Sequence, residues 1–260
     1  TVGPGVANAI NVVTNCYQDQ VPLIFLTGCI DPKITQTFTH QVFNQRELLR
    51  SITKANFTAV DGAIDVIIDK AVAISMDGRP GPVHIDVPIS VSMKNQGTSL
   101  TVKRVSPAQM APNFSRELTT SRKLFKKATR PIIIAGIDVL HHNASKTINR
   151  IIRKFNLPLI TTYKAKGIVP EDNFNVIGAA GLSEKADKLL QKLIKKSDLV
   201  ILVGYDPIEM RSSWISPWSL NQQVIEFVAI ENTHYVHQAN ISFVGHVGAC
   251  LSSLVKEEKA

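Results

Sequence analysis

The amino-acid sequence predicts an α/β protein with two doubly wound parallel-sheet domains, of which the first is incomplete. Three observations support this. Short apolar runs alternate with amphipathic helical patterns along most of the 260 residues. This periodicity is lost over residues 94–115, a stretch containing Gly, Pro, Ser, Thr and Lys. The first 88 residues supply only about three strands, which makes a poor sheet of the doubly wound type.

The stretch Asp77–Pro88 closes the first domain. A helical pattern ends at Asp77-Gly78, and the following Arg-Pro-Gly-Pro cannot be helical because the prolines lack N–H donors. Val83–Val87 then alternates as a short strand, which Pro88 ends. We therefore place the domains at residues 1–93 and 116–260, with a linker at 94–115.

In the first domain, apolar residues repeat at helical spacing from Val6 to Gln18, after a Gly-Pro-Gly start that suits a first helical turn. The remaining patterns predict, in chain order, a strand at Val21–Leu26, a short helix at Gln41–Leu49, a weak strand at Ile52–Phe57 and a helix at Gly62–Met76. We expect either that further strands precede Thr1 in the native polypeptide or that another element covers the sheet edge.

The second domain alternates strands and helices over about 130 residues, which is typical of a doubly wound parallel sheet. The predicted strands are Pro131–Ala135, Leu157–Thr161, Leu199–Val203, Val224–Ile230 and Ile241–Val244. The predicted helices are Glu117–Ala128, Ala144–Phe155, Glu184–Lys196 and Val247–Val255, and Tyr163–Gly181 is predicted to be a long loop.

Composition narrows the classes of partner. No apolar run approaches the ~20 residues of a membrane span, so no membrane partner is predicted. Three distant cysteines without a CxxC motif favour a reducing cytoplasm over a disulfide framework. The net charge of +8 permits nucleic-acid binding, but the lysine clusters lie opposite apolar helix stripes without interleaved aromatic residues. We interpret them as solvated faces, and nucleic-acid binding stays a weak alternative.

The carboxyl ends of the strands in the second domain are where a doubly wound sheet binds ligands. The GxGxxG fingerprint is absent, since the chain after Ala135 reads GIDVLHHN. Glu231 follows a strand and could accept hydrogen bonds from a ribose, or be an ordinary loop acid. Trp214 and Trp218 are predicted to form a packed loop corner, with a ligand wall as the alternative.

The paired histidines invite a metal interpretation. His141-His142 and His234-x-x-His237 lack a matching set of carboxylates or cysteines. We interpret them as solvated loop histidines and predict no metal ligand.

In the first domain, Gly3-Pro4-Gly5 could present backbone N–H groups to an anion at a helix start. Asn8 and Gln41 could point into a cleft or cap helices.

The order of these segments is more specific than any one of them. It runs Gly-Pro-Gly-Val-Ala-Asn (3–8), Val-Pro-Leu-Ile-Phe-Leu-Thr-Gly (21–28), Thr-His-Gln (39–41), Ile-Thr-Lys (52–54) and Gly-Arg-Pro-Gly-Pro-Val-His-Ile-Asp-Val-Pro (78–88). This order resembles the thiamine-diphosphate enzymes of the acetolactate synthase, oxalyl-CoA decarboxylase and benzoylformate decarboxylase type. The first domain is similar to the latter part of their pyrimidine-binding domain. The second is similar to their central domain, a six-stranded sheet of nucleotide-binding topology.

The resemblance implies an enzyme acting on small 2-oxo acids, as an acetolactate synthase-like transferase or a decarboxylase, with thiamine diphosphate and Mg²⁺. The family's activating glutamate is expected before residue 1, and its diphosphate and Mg²⁺ site after residue 260. The active form would be a homodimer or homotetramer, and this fragment alone would be inactive. The alternative is a non-catalytic nucleotide-binding or structural module.

By matching position, the resemblance puts Pro4 and Asn8 near the cofactor cleft and Gln41 toward the reacting substrate. His40 stands where the family often has Phe, so it either transfers protons or replaces the packing of that ring. The family's central domains bind FAD or ADP. Tyr205 replaces the arginine that the flavin enzymes carry there, which argues against FAD.

Overall fold

A computed structural model describes residues 2–95, 97, 110–234 and 236–256, and it divides into two compact units. The units are Thr1–Ser106 and Pro107–Ala260. Their boundary falls within the predicted linker, of which residues 96 and 98–109 lie outside the described residues. Each unit contains its own parallel sheet.

The sheet of the first unit has three strands in the order β1-β3-β2, all parallel, as predicted. Its elements are α1 (Pro4–Ala7), α2 (Ile10–Gln18), β1 (Leu23–Cys29), α3 (Gln45–Leu49) with a 3₁₀ turn at Arg50–Ile52, β2 (Ala55–Thr58), α4 (Ile64–Met76), β3 (Pro82–Pro88) and α5 (Ile89–Ser92).

Both faces of this sheet are covered by helices. Val83 and Ile85 of the central strand pack against α4, where Ala71 is fully buried. The other face carries Val13 of α2 and Leu49 of α3. The alternation of β3 thus places its apolar side chains under α4 and its other side chains under α1–α3.

Two helix predictions in this unit were wrong in extent. The predicted single helix Val6–Gln18 is two helices, because a turn at Asn8-Ala9 replaces the α-helical bond by one from Ala9 N–H to the Val6 carbonyl. The predicted helix from Gln41 begins only at Gln45. Gln41 has φ +57°, which a helix excludes, and the Asn44 side chain caps the start by accepting from the Glu47 N–H.

The sheet of the second unit has six parallel strands in the order β6-β5-β4-β7-β8-β9, which confirms the doubly wound prediction. Its elements are α6 (Arg116–Lys127), β4 (Pro131–Ala135), α7 (Asp138–His141), α8 (Ser145–Phe155), β5 (Leu159–Thr162), β6 (Val176–Ala180), α9 (Glu184–Lys196), β7 (Leu199–Val203), 3₁₀ turns at Pro207–Glu209 and Ser212–Trp214, β8 (Gln223–Val228), β9 (Ile241–Val244) and α10 (Val247–Val255).

Helices again lie on both faces. One core contains Phe125 of α6, Ile148 of α8 and Leu251 of α10. The core on the opposite face contains Ile194 of α9 and the buried ring of Trp214. This confirms the prediction that Trp214 packs in a loop corner.

The predicted loop Tyr163–Gly181 was wrong in part, because it contains the edge strand β6. This strand is short and includes Gly178-Ala179-Ala180, residues that give little strand signal. Only its pairing with β5 makes it a strand.

Candidate functional site

Two segments that the sequence singles out are in direct contact in the first unit. Gly3 has φ +57°, and a Cβ placed on it would lie 2.8 Å from both the Cβ and the carbonyl oxygen of Gln41. Gln41 itself adopts φ +57°. The turn that opens α1 therefore packs backbone to backbone against the Gln41 turn, and only glycine leaves room for that approach.

A buried side chain fixes the same turn from below. The Gly3 N–H donates to Gln45 Oε1 at 2.8 Å, and Gln45 is 5% exposed. Gln45 Nε2 donates to Asp86 Oδ1 at 2.5 Å and to the Gly28 carbonyl at 3.1 Å. The turn is thereby tied to the carboxyl ends of β1 and β3.

The network continues across the α1–α3 face of the sheet. Thr27 Oγ1 donates to Asp86 Oδ1 at 2.7 Å and lies 2.7 Å from His84 Nε2. His84 Nδ1 lies 2.9 Å from Asn56 Oδ1 on β2. We name Thr27, Gln45, Asn56, His84 and Asp86 the strand-end network. It links all three strands and the Gly3 turn through buried polar groups.

Asp86 is the acceptor at the centre of this network. Burial alone would raise its pKa, but hydrogen bonds from His84, Thr27 and Gln45 and the charge of His84 outweigh burial, so its pKa lies below the usual range. Asp86 is therefore a fixed carboxylate at neutral pH. Its role here is to hold donors in place, since the network already occupies it.

The residues predicted to touch cofactor or substrate lie on the surface of the first unit. Pro4, Asn8, His40 and Gln41 are exposed. Asn8 caps α1, with its N–H donating to the Pro4 carbonyl at 3.2 Å. His40 meets the Phe38 ring edge-on at 6.4 Å between centroids. The structure thus brings the Pro4 and Gln41 segments together, and their side chains are free to meet a ligand.

The strand-end network was missed in the sequence analysis. The signal available was the Val-His-Ile-Asp-Val run of β3, in which two polar residues alternate with apolar residues in a buried strand. Nothing in the sequence paired Gln45 with Gly3, because that contact depends on the tertiary fold.

In the second unit, the carboxyl edge of the sheet is closed at its topological switch point, which lies between β4 and β7. A Cβ on Gly136 would lie 2.3 Å from the Gly204 carbonyl oxygen and 2.6 Å from Tyr205 Cα. Tyr205 is 1% exposed and packs against the ring of His237 at 5.1 Å. At this point the turns after β4 and β7 are in direct backbone contact, and the Tyr205 ring is buried beside them.

The Glu209 carboxylate binds the turn that follows β4 at this edge of the sheet. Glu209 is 3% exposed, and its Oε1 accepts from the Ile137 N–H at 3.2 Å, in the turn after β4. Burial raises the pKa of Glu209 to about 7, against the opposing effects of the Thr162 hydroxyl and the Ile137 N–H. The backbone donor that could face a nucleotide phosphate is already bound. The bond to Glu209 therefore argues against a nucleotide phosphate at this turn.

Glu231 lies three residues beyond the end of β8 and is exposed. Its assignment to a ribose remains a prediction.

The interpretation of the paired histidines as solvated was wrong. His237 is 5% exposed and lies 2.7 Å from Glu226 Oε1, and His142 stacks on His246 at 4.7 Å and accepts from the Val247 N–H. Burial lowers the pKa of His142, with the charges of His246 and His141 acting in the same direction and Asp138 opposing. These rings pack the loops at the carboxyl edge, which loop composition alone did not reveal.

Within the described ranges, no group of three or more His, Cys, Asp or Glu side chains could hold a metal ion. In the same part of the chain, no helix is both long and apolar enough to cross a membrane. The predicted solvated lysines, among them Lys123, Lys127 and Lys192, are exposed as expected.

Comparison with known families gives two matches that follow one another along the chain. The family model described as "thiamine pyrophosphate enzyme, central domain" matches residues 118–254. The model described as "thiamine pyrophosphate enzyme, N-terminal TPP binding domain" matches residues 1–48. The first of these covers more than half of the chain.

Individual relatives agree with these matches. The chain is 26% identical over 265 aligned positions to a probable acetolactate synthase large subunit of Methanococcus aeolicus, covering 99% of this chain and 44% of that protein. It is 30% identical to the corresponding protein of Methanocaldococcus jannaschii, covering 78% and 35%. It is 28% identical to mouse 2-hydroxyacyl-CoA lyase 1, covering 88% and 38%. The chain thus spans well under half the length of these relatives.

Proposed function

Because the chain belongs to the family of thiamine pyrophosphate enzymes, we propose that it forms part of an enzyme that acts on a small 2-oxo acid with thiamine diphosphate and Mg²⁺. The reaction is decarboxylation or transfer of the resulting acyl-type unit. The relatives named acetolactate synthase and 2-hydroxyacyl-CoA lyase support this class of chemistry. The three free cysteines, far apart in sequence, fit a reducing compartment such as the cytoplasm.

The observation that carries the proposal is the contact between the Gly3 turn and the Gln41 turn. Two turns, centred on Gly3 and Gln41 and 38 positions apart in sequence, are held together by a close approach that only glycine allows and by the Gln45 side chain. Such a rigid pair of turns above a buried network is the preorganised support that a ligand site needs.

In this arrangement, Pro4 and Asn8 would lie at the cofactor cleft. Gln41 reaches toward the substrate, and His40 lies at the outer end of the same turn. Thiamine diphosphate, when bound, supplies an electron sink for breaking the bond next to the substrate carbonyl. The chain's own part is to hold the cofactor ring against the Gly3 turn and to present the Gln41 amide, a donor and an acceptor, to the substrate.

His40 carries one of two roles. An imidazole in contact with the substrate can donate or accept a proton near neutral pH. The edge-on contact with Phe38 supports the packing role. A His40→Phe change separates the two, because it preserves packing and removes the proton. Unchanged turnover assigns His40 to packing, and a loss of about tenfold or more assigns it to proton transfer.

The proposal is tested with the native protein that contains this chain, since the described residues include no group of three or more His, Cys, Asp or Glu side chains that could hold a metal ion. We expect calorimetry to show saturable binding of thiamine diphosphate in the presence of Mg²⁺. We also expect the protein to consume pyruvate or another small 2-oxo acid. A homodimer or homotetramer is expected by sedimentation. Failure to bind the cofactor, together with no turnover of any small 2-oxo acid, would reject the proposal.

The alternative function was a non-catalytic nucleotide-binding or structural module. The closed crevice at Gly136 and Glu209 speaks against its nucleotide-binding form. We infer that the second unit serves the enzyme without FAD or ADP in this crevice. Equilibrium dialysis of the native protein against ADP and FAD tests this, and stoichiometric retention of either nucleotide would contradict it.

A further inference from the structure

A pocket lies at the amino ends of β4 and β5 in the second unit, on the edge of the sheet opposite the closed crevice. Its volume is about 890 Å³, within the range of about 300–1,000 Å³ typical of sites for small molecules. Its lining includes the last residues of α6, α8 and α9. The apolar part of the lining is formed mainly by Phe125, Ile132, Phe155, Leu157, Ile177 and Leu193. We name this the amino-edge pocket.

The loop that enters β4 gives the pocket a fixed wall. Asp198 Oδ2 accepts from the Thr129 N–H and hydroxyl, both at 2.7 Å, and its Oδ1 accepts from the Arg130 N–H at 3.0 Å. Both carboxylate oxygens of Asp198 are therefore used in bracing residues 129–130. These hydrogen bonds hold residues 129–130 in place without a ligand, which lowers the entropy cost of binding.

The charged part of the lining has a single sign. It contains Lys126, Arg130 and Lys196 and no carboxylate. Within the described residues, none of these three side chains forms an ion pair or a hydrogen bond. Lys126 and Lys196 partly offset the negative ends of α6 and α9, whereas Arg130 lies outside any helix, and its backbone N–H donates to the Asp198 carboxylate.

From this apolar interior and a rim whose charged side chains are all cationic, we propose that the amino-edge pocket binds an amphipathic anion. The ligand has an aliphatic or aromatic body, which packs on Phe125, Phe155 and Leu193. It has one anionic head, a carboxylate or a phosphate, which meets Arg130 and Lys196. Such a site lies away from the strand ends at which doubly wound sheets bind nucleotides, and it does not depend on thiamine diphosphate.

The test is calorimetric titration of the 260-residue chain with two ligands of equal length, octanoate and 1-octanol, at low salt. We expect octanoate to bind at one site per chain and 1-octanol to bind about tenfold more weakly. Equal affinities would overturn the charge argument, and no saturable binding of octanoate would overturn the site. Octyl phosphate in the same titration distinguishes a phosphate site from a carboxylate site, according to which ligand binds more tightly.

Variants locate the binding in this pocket. Arg130→Ala combined with Lys196→Ala is expected to weaken octanoate about tenfold and to leave 1-octanol unchanged, because both side chains are exposed and unpaired. Lys192→Ala on the same helix, outside the lining, is the matched control. An octanoate affinity that the double change leaves intact would refute the site.

Leu193 and Leu189 provide a matched pair of variants that tests the apolar part of the pocket lining. Leu193 is 42% exposed and lines the pocket, whereas Leu189, one turn earlier, is 64% exposed and does not. Leu193→Ser is expected to weaken octanoate and 1-octanol alike by several-fold, and Leu189→Ser to change neither. Equal effects of the two serine variants would contradict the proposal. Neither titration contains thiamine diphosphate, so a failed proposed function leaves this result standing.

Discussion

At Gly3, the lack of a side chain decides whether two turns can meet. Its φ of +57° costs little for glycine, and the Gln41 backbone fills the space where a Cβ would lie. Gly62 also has a positive φ, +76°, but nothing lies within 4 Å of its Cβ position. Substitution of Gly62 therefore tests the strain of a positive φ alone, whereas substitution of Gly3 also tests the steric contact with Gln41.

Gly3→Ala is expected to lower the free energy of unfolding of the first unit by about 2–3 kcal/mol, since it adds a clash with immobile backbone to the cost of a positive φ. Gly62→Ala is expected to cost only about 1 kcal/mol, from strain alone. Urea unfolding followed by far-ultraviolet circular dichroism measures both. Equal losses in the two variants would show that the Gly3 contact with Gln41 is loose.

Glu209 makes the stability of the second unit depend on pH. Its pKa is raised to about 7 from 4.5. The folded state therefore binds its proton more tightly than the unfolded state, and the resulting stability is fully present below about pH 4.5 and is lost as pH rises through about 7. The loss amounts to roughly 3–4 kcal/mol at most, because the pKa rises by about 2.5.

Glu209→Gln is expected to abolish this part of the pH dependence, because an amide keeps the hydrogen bond from Ile137 and does not ionise. The free energies of unfolding of wild type and variant are compared at pH 5 and pH 8 by tryptophan fluorescence, since both tryptophans lie in the second unit. Glu231→Gln, at an exposed position, is the control. Parallel pH profiles for wild type and Glu209→Gln would contradict the assignment.

Site residues could be predicted from sequence only where a motif placed them. The candidates Pro4, Asn8 and Gln41 came from the order of family segments, and the structure brings the Gly3 turn and the Gln41 turn together. Gln45 and Glu209 could not be predicted, since each acts through a partner at least 40 positions away that only the fold supplies. The histidines were misjudged for the same reason, because burial of a loop depends on its neighbours in space.

At the scale of elements, prediction succeeded where local signals were strong. The strands β4, β7 and β9 and the helices α9 and α10 have the predicted bounds. Apolar runs that end at Gly136 and Gly204, and the Ser183 cap before α9, mark these bounds in the sequence. β6 was missed because strand pairing, and not composition, creates it.

The N-cap serines of α6 and α9 differ in hydrogen-bond length. We therefore expect their substitution to lower the stability of the second unit by different amounts. Ser115 accepts from the Leu118 N–H at 3.0 Å, whereas Ser183 lies 3.5 Å from the Ala186 N–H. Ser115→Ala is expected to destabilise the second unit by about 1 kcal/mol, and Ser183→Ala by less than about 0.5 kcal/mol. Thermal unfolding followed by tryptophan fluorescence checks the order. A larger loss for Ser183→Ala would contradict the geometry of the two caps.

At the scale of the whole molecule, two sheets of unequal size share one chain. All six strands of the second sheet pair within residues 107–260, and two extensive cores cover its faces. The first unit has three strands and smaller cores. Because the buried fraction of a domain rises with its size, the larger unit has more stability of its own.

Residues 107–260 expressed alone are therefore expected to fold, with cooperative thermal unfolding and native tryptophan fluorescence. Residues 1–106 alone are expected to be marginal, with a broad transition. Circular dichroism melting of both segments measures this. A non-cooperative melt of residues 107–260 would show that its cores do not suffice.

The alternation of side chains along β3 between the two faces of the sheet restricts insertions and deletions within this strand. Val83 and Ile85 face α4, whereas His84 and Asp86 lie on the other face and belong to the strand-end network. One inserted or deleted residue within β3 would exchange these two sets, burying a carboxylate among isoleucines and removing the support of the Gly3 turn. The exposed turns at residues 32–40 carry no such constraint. Among natural variants of this protein, gaps should therefore collect in that segment, and the span from Val83 to Val87 should keep a constant length.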